Sequence, residues 1–394
     1  MEKLVLSTNS GQSHTTILAK TIQGMETIEV TGPRYRARIA LQGATLLDWW
    51  PRSVDGLEDE SLVDGYRDLH ELKSQNGVRN GILAPFTNRL TGGRFDYDGR
   101  VHELSPIAEG EDEVYHGFAR VRLFALGQVD SDGDNLRIEL IHKTADVGAT
   151  GYPYDLRISV VYMFSAHEVE LQIATTNLGK QRAPYAAGWH PYFRLPGTTA
   201  IDDLILQVPS RSVVETVDLI PKVASNGEVK LRDVDTFNEP ERIGDRVLDC
   251  CFTNLVNERG TLRTILIDPG SGAKLSVWQE RGHMHVFTGD TLARDRRRSI
   301  ALEPVEDLTN AFNLPGRIDT LTSRSGDNSN LPVRIHVRGR REIMTTISSA
   351  RLFRCSFLDE RTLIDSCPGE SRPSSTEATY RNRRPTYLKR QTVD

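Results

Sequence analysis

From about residue 20 onward the chain alternates apolar and polar positions in short runs separated by turn residues, a period of two that predicts strands. Leu136, Ile138 and Leu140 alternate with Arg137 and Glu139, and Val169, Leu171 and Ile173 alternate with Glu170 and Gln172. Each apolar set therefore falls on one face. Arg94 to Asp98 and Val101 to Leu104 flank Asp98-Gly99, a pair suited to the positive φ angles of a tight hairpin. Leu262 to Ile267 and Lys274 to Trp278 flank Asp268-Pro269-Gly270-Ser271-Gly272, a second hairpin candidate. Helical periodicity is scarce, which argues against βαβ units, and no repeat of fixed period suggests a propeller or solenoid. The runs between residues 20 and 315 are too many for a small immunoglobulin-like sandwich. The pattern predicts an all-β fold, one large sandwich over 20–315.

The ends read differently. Residues 1–19 are mostly polar and read as a lead-in. After about residue 316 Arg, Ser, Thr and Asn become dense while apolar residues thin out, which predicts a poorly ordered tail over 316–394, with a segment such as Val333 to Val337 as the candidate for a closing strand. Its arginines, including Arg338, Arg340, Arg341, Arg383 and Arg384, read as a solvated basic surface with no assigned function.

Composition narrows the function classes. The 394 residues are 38% hydrophobic and 26% charged with a net charge of -5, an ordinary globular balance that argues against a nucleic-acid partner. Cys250 and Cys251 are adjacent while Cys355 and Cys367 lie far downstream, which makes neither a disulfide framework nor a C-x-x-C metal pattern. No apolar run near the start is long enough for export or membrane insertion, so a cytoplasmic protein with no membrane partner is expected. No feature speaks to oligomeric state.

Two titratable residues stand in unusual company. His190 lies among aromatics in Gly188-Trp189-His190-Pro191-Tyr192-Phe193. Aromatic faces suit the apolar face of a sugar, and partial burial would tune the imidazole as a general acid. A buried histidine satisfied by a carbonyl fits equally well. Glu303 lies in Ala301-Leu302-Glu303-Pro304-Val305, where the following proline favours extended backbone and apolar flanks would raise the carboxyl pKa. Such a group is a better base at neutral pH, although a plain strand acid would look the same. Asn88-Arg89 precedes Gly92-Gly93 at a hairpin entrance, and His116 precedes Gly117, which would permit close backbone approach. His283 and His285 share a strand face, but without a third ligand at a recognisable spacing no metal is expected. The charged run Asp290 to Arg298 reads as a solvated loop. No P-loop, G-x-S-x-G or G-x-G-x-x-G motif is present, so nucleotide and redox cofactors are not expected.

Taken in order, Thr87-Asn88-Arg89-Leu90 with Gly93 and Phe95, His116-Gly117, His190-Pro191-Tyr192-Phe193, and Leu302-Glu303-Pro304 with Thr309-Asn310-Ala311-Phe312-Asn313 resemble the aldose 1-epimerase (galactose mutarotase) family. The resemblance covers about residues 20 to 315. It implies a large twisted β-sandwich with a sugar cleft, no cofactor, and the interconversion of α and β anomers. It implies further that His190 protonates the ring oxygen, that Glu303 takes the anomeric hydroxyl proton, and that Asn88, Arg89 and His116 hold the sugar. Asp249, in Asp249-Cys250-Cys251-Phe252, resembles the family's substrate-binding aspartate, and His285 falls where many members carry a sugar-contacting glutamine. Val78-Arg79-Asn80-Gly81-Ile82 and His116-Gly117-Phe118-Ala119-Arg120 also resemble the related hexose 6-phosphate epimerases, which would make Arg79 and Arg120 phosphate ligands. A carbohydrate-binding sandwich without catalysis is the reading from another class.

Overall fold

In a computed structural model, which describes residues 3–7, 14–51, 60–144, 151–258 and 261–338, the period-two segments are strands. Turn chemistry closes them where expected. Asp98 and Gly99 hold φ of 53° and 70°, so Arg94–Tyr97 and Arg100–Glu103 pair through a two-residue turn. Asp268 accepts hydrogen bonds from the main-chain N–H groups of Gly270 and Ser271, shaping the turn between Thr261–Ile267 and Lys274–Gln279.

Three large antiparallel sheets make the frame of the described residues. A five-stranded meander runs in chain order from Lys3–Ser7 through His14–Ile22, Met25–Thr31 and Tyr35–Ala40 to Thr45–Pro51. A ten-stranded sheet has Lys274–Gln279, Asn328–Arg338, Glu168–Asn177 and Leu156–Phe164 side by side at its middle. An eight-stranded sheet carries Asp249–Leu255, His283–Phe287, Ile300–Val305 and Gly188–Trp189 as successive neighbours. Side chains from all three enter one core, among them Tyr35 and Trp49, then Leu171, Val277 and Ile335, then Trp189, Val286 and Leu302. Each fully buried Leu, Val or Ile contributes about 1.5–3 kcal/mol, so this shared core is the main source of stability. The fold is a β-sandwich with only two short α-helices, Leu69–Ser74 and Arg317–Thr320, among the described residues. No helix there is long and apolar enough to cross a membrane.

Three expectations need correction. The sandwich does not end at residue 315, because Asn328–Arg338 lies between Glu168–Asn177 and Lys274–Gln279 and pairs with both. Its Leu331, Val333, Ile335 and Val337 alternate inward, fully or almost fully buried, within the segment that composition marked as tail. Pro332 hid how far the candidate strand Val333 to Val337 extends. It sits opposite Gln172 on one side, while pairing with the strand on the other side begins only at Val333, so its missing N–H breaks no ladder on that side. The remainder of the expected tail, from residue 339, lies outside the described residues, as do Cys355 and Cys367. At the other end, Lys3–Ser7 and His14–Ile22 are already paired strands of the five-stranded sheet, so 1–19 is not a separate lead-in. The Asp290 to Arg298 run is not a freely solvated loop either. Arg294 bonds to Asp64 and Glu71, and Arg297 bonds to Asp202 and Asp290, with both guanidinium groups largely covered.

Candidate active site

The middle of the eight-stranded sheet places four titratable side chains on one face by register alone. His285 is directly opposite Glu303 on one side and Cys251 on the other, and Asp249 follows two residues from Cys251 along the same strand. The alternate positions Met284, Val286, Leu302 and Phe252 point into the core. Ile300–Val305 is buried along its whole length, so Glu303 is only 1% exposed.

His190 arrives from the neighbouring short strand Gly188–Trp189. Asn80, with φ of 56°, holds this turn: its N–H donates to the His190 carbonyl at 3.0 Å, and its side-chain carbonyl accepts the Tyr192 N–H at 2.9 Å. The Asn80 carbonyl accepts the Trp189 indole N–H at 3.1 Å. Main-chain and side-chain bonds from one residue thus fix Trp189, Tyr192 and the main chain of the histidine between them. The imidazole stacks on Tyr192 at 5.1 Å between ring centroids and meets the edge of His116 at 5.2 Å. Its Nε2 stands 3.3 Å from Glu303 Oε1.

Loops complete the rim. Gly117 at φ of 61° lets the chain pass so close to Ala84 that an added Cβ would lie 2.1 Å from the Ala84 carbonyl oxygen. The close approach expected from sequence is therefore present. The Asn88 N–H donates to His116 Nδ1 at 3.2 Å, which assigns Nδ1 as an acceptor and leaves Nε2 to carry the proton of the neutral ring. Arg89 is half-buried, with its Nε 3.1 Å from the exposed carboxylate of Glu113.

The two titratable centres have no complete set of partners. Glu303 Oε2 is buried without a hydrogen-bond partner, and His190 Nδ1 has none on another residue. Burial pushes the Glu303 carboxyl up to about 8, partly offset by His285 and Arg89. Burial, reinforced by His285, pushes the His190 imidazole down to about 3. His116 is held well below the ordinary imidazole range by burial and by His190. His285 goes the other way. Burial opposes its charge, but Glu303 and Asp249 outweigh that and hold it well above the ordinary range, with Nε2 2.8 Å from Asp249 Oδ1. With Glu303 raised and His190 lowered, the pair holds one proton around neutral pH, on the Glu303 carboxyl.

All seven residues singled out in the sequence, His190, Glu303, Asn88, Arg89, His116, Asp249 and His285, take part in this connected cluster. His283 does not join it, because its Nδ1 lies 2.8 Å from the Thr253 hydroxyl instead. Arg79 and Arg120 are buried in ion pairs, Arg79 with Asp64 at 2.5 Å and Arg120 with Glu111 at 2.8 Å. Sequence reasoning missed Asn80 as the holder of the His190 turn and Glu113 as the partner of Arg89. The signal for Asn80 was its place in Asn80-Gly81, a dipeptide that tolerates left-handed backbone. Nothing local marked Glu113. No group of three or more His, Cys, Asp and Glu side chains among the described residues is arranged to hold a metal ion.

Comparison with known proteins agrees with this architecture. The sequence model of the family described as aldose 1-epimerase matches residues 26–318. The chain is 26% identical over 246 residues to the Escherichia coli K12 protein described as "Uncharacterized protein YihR", covering 62% of this chain and 74% of that one. Its fold matches a putative aldose 1-epimerase of Escherichia coli K12 with a TM-score of 0.60 at 18% identity, covering 82% of this chain and 99% of the other. A galactose mutarotase-like protein of Clostridium acetobutylicum matches with a TM-score of 0.66 at 13% identity, covering 82% and 98%.

Proposed function

Because the chain belongs to the aldose 1-epimerase family, we propose that it interconverts the α and β anomers of an aldose by acid–base ring opening and closure. Glu303 is the base and His190 the acid. The observation that carries this reading is the buried Glu303 Oε2, which lacks any partner while the other carboxyl oxygen lies 3.3 Å from an imidazole. An unpaired buried polar atom costs about 1–3 kcal/mol, a cost that a substrate hydroxyl would relieve.

The pair's single proton makes base and acid at once. When a sugar enters, transfer of that proton from Glu303 to His190 leaves a carboxylate and an imidazolium without exchange with solvent. Glu303 then removes the proton from O1, the C1 to ring-oxygen bond breaks, and His190 protonates the ring oxygen. The open-chain aldehyde rotates about C1–C2. Closure with the transfers reversed gives the other anomer and restores the pair. Each proton transfer is worth about 10² to 10⁴ in rate. Asn88, Arg89, His116, Asp249 and His285 surround this pair and are the groups we assign to the sugar hydroxyls.

The substrate we favour is an unphosphorylated hexose. Arg79 and Arg120, the expected phosphate ligands of the alternative, are almost fully covered and already neutralised by carboxylates. A sugar-binding module without catalysis would have no need of a buried carboxyl and imidazole left short of partners. The test is NMR exchange between α and β signals across a panel of anomerically pure sugars and sugar phosphates. Exchange on neutral hexoses is expected. Tight binding with no exchange on any member would overturn the assignment in favour of the binding module, and exchange confined to 6-phosphates would overturn the choice of substrate.

A further inference from the structure

We propose that Asp249 and His285 form a charged dyad that sets the number of protons held by the Glu303–His190 pair, with His285 acting as a positioning residue for charge beyond any contact it makes with sugar. This rests on the proton-transfer reading of the site.

The geometry is that of a buried cation between two carboxyl groups. His285 is 7% exposed, faces Glu303 across one strand pair, and is bonded through Nε2 to Asp249 Oδ1 at 2.8 Å. Asp249 keeps about a third of its side chain exposed, so the dyad reaches from the protein surface to the buried pair. The charged and titratable groups around His285 come from every neighbouring element: Asp249 and Cys251 from one strand, Glu303 from the other, His190 beyond it, and His116 and Arg89 from the rim. Asp249, bonded to it directly, favours the charged form of His285 while Glu303 is protonated, and Glu303 adds to this once ionised.

A fixed positive charge here has two effects of the same sign. It favours ionisation of Glu303, and it disfavours a second positive charge on His190. Both titrations of the pair are moved down together, which makes the Glu303 carboxyl easier to ionise near neutral pH while the pair still holds one proton. Loss of the charge should move both upward.

Two measurements test this on the full chain. First, the imidazole ¹⁵N signals of the unliganded protein, with His285 identified by its absence in His285→Gln, report the charge directly. His285 is expected to be protonated at pH 7.5 in the wild type and to titrate at lower pH in Asp249→Asn. A neutral His285 at pH 7.5 in the wild type would overturn the proposal, whatever the activity. Second, the pH profile of kcat for anomer exchange should shift upward at both limbs by about one unit or more in His285→Gln. Asp249→Asn and the double variant should shift less, since the opposing charge is then also lost. A rise in KM with both limbs in place would show a sugar contact only and overturn the proposal. If the wild type exchanges no sugar, the proton-transfer reading fails, and the ¹⁵N titration still decides the charge of the dyad. Should His285→Gln fail to fold, the Asp249→Asn signals, assigned by comparison with the wild type, keep the test decisive.

Discussion

Tyr192 touches two buried charged clusters that are built from similar groups and behave oppositely. On Arg79, whose guanidinium lies 5.1 Å from the Tyr192 ring, the Asp64 carboxylate is fully engaged. It also receives Arg294 at 3.2 Å and the Ser299 hydroxyl at 2.9 Å. Burial would raise the Asp64 carboxyl, but Arg79 and Arg294 outweigh it and hold it below its ordinary value. On His190, which stacks on the same ring, Glu303 faces a neutral imidazole and has one oxygen without a partner. Burial wins there, and the carboxyl rises to about 8. Two buried carboxyls of one protein thus separate into a structural ion and a raised, incompletely partnered acid. The difference is the permanent charge and number of their partners, not burial itself.

The sharpest way to break this contrast is to remove proton transfer from the reactive side alone. His190→Asn and Glu303→Gln should each lower anomer exchange by roughly 10² to 10⁴ while circular dichroism shows an intact fold. The double variant should be little worse than either single one, because the two groups share one proton. Wild-type exchange in both folded single variants would sink the catalytic assignment.

The structural side should respond in stability instead. Asp64→Asn leaves Arg79 buried without its carboxylate and should cost about 3–5 kcal/mol in urea unfolding. Exchange per folded molecule should change far less. A collapse of turnover with stability unchanged would show that the two clusters are not separable.

The same contrast predicts a pH effect on the fold. The Glu303 carboxyl is raised in the native state from an ordinary 4.5 to about 8, so its contribution to stability is full below 4.5 and is lost as pH rises to 8. Glu303→Gln should therefore melt at a higher temperature than the wild type at pH 9, with the gap closing toward pH 4. His190, lowered to about 3, works from the other end: it favours the fold above 6.5 and loses this as pH falls to 3. A Glu303→Gln melting curve that tracks the wild type at every pH would contradict the raised carboxyl.

The smallest effect lies at the rim. Glu113→Gln releases Arg89 from an exposed ion pair worth about 0–1 kcal/mol, so stability should hardly move. If Arg89 turns to the sugar, KM should fall or stay level, whereas Arg89→Ala should raise KM by about tenfold. Equal kinetics in both variants would remove Arg89 from the sugar contacts.

Much of this molecule was legible in one dimension. Alternation at Leu136 to Leu140 and Val169 to Ile173 announced strands because a half-buried sheet leaves a period of two in the residues themselves. Asp98-Gly99 announced its hairpin because the φ angles it adopts are encoded in the dipeptide. Four separated motifs brought the site residues to attention, and the family match over residues 26–318 agrees with them. Of the Asn328–Arg338 strand only Val333 to Val337 stood out as a candidate closing strand, and the whole segment was read as tail because composition was weighed over its alternation, with Pro332 and the polar residues before it obscuring the pattern. A proline is tolerated at that position only because one flank is unpaired there, which no local rule reveals.

By itself, then, the sequence determined the β architecture and its turns and pointed to the side chains to which we assign the reaction, since these depend on neighbours along the chain. The tertiary structure decided which charges meet. Asp64 and Arg79, Glu111 and Arg120, and Asp249 and His285 are each separated in sequence yet in direct contact. Those meetings decide which carboxyl is a fixed ion and which is the raised acid at Glu303, because an electrostatic environment is set by distance through space and by exclusion of water, and neither is written in the order of residues.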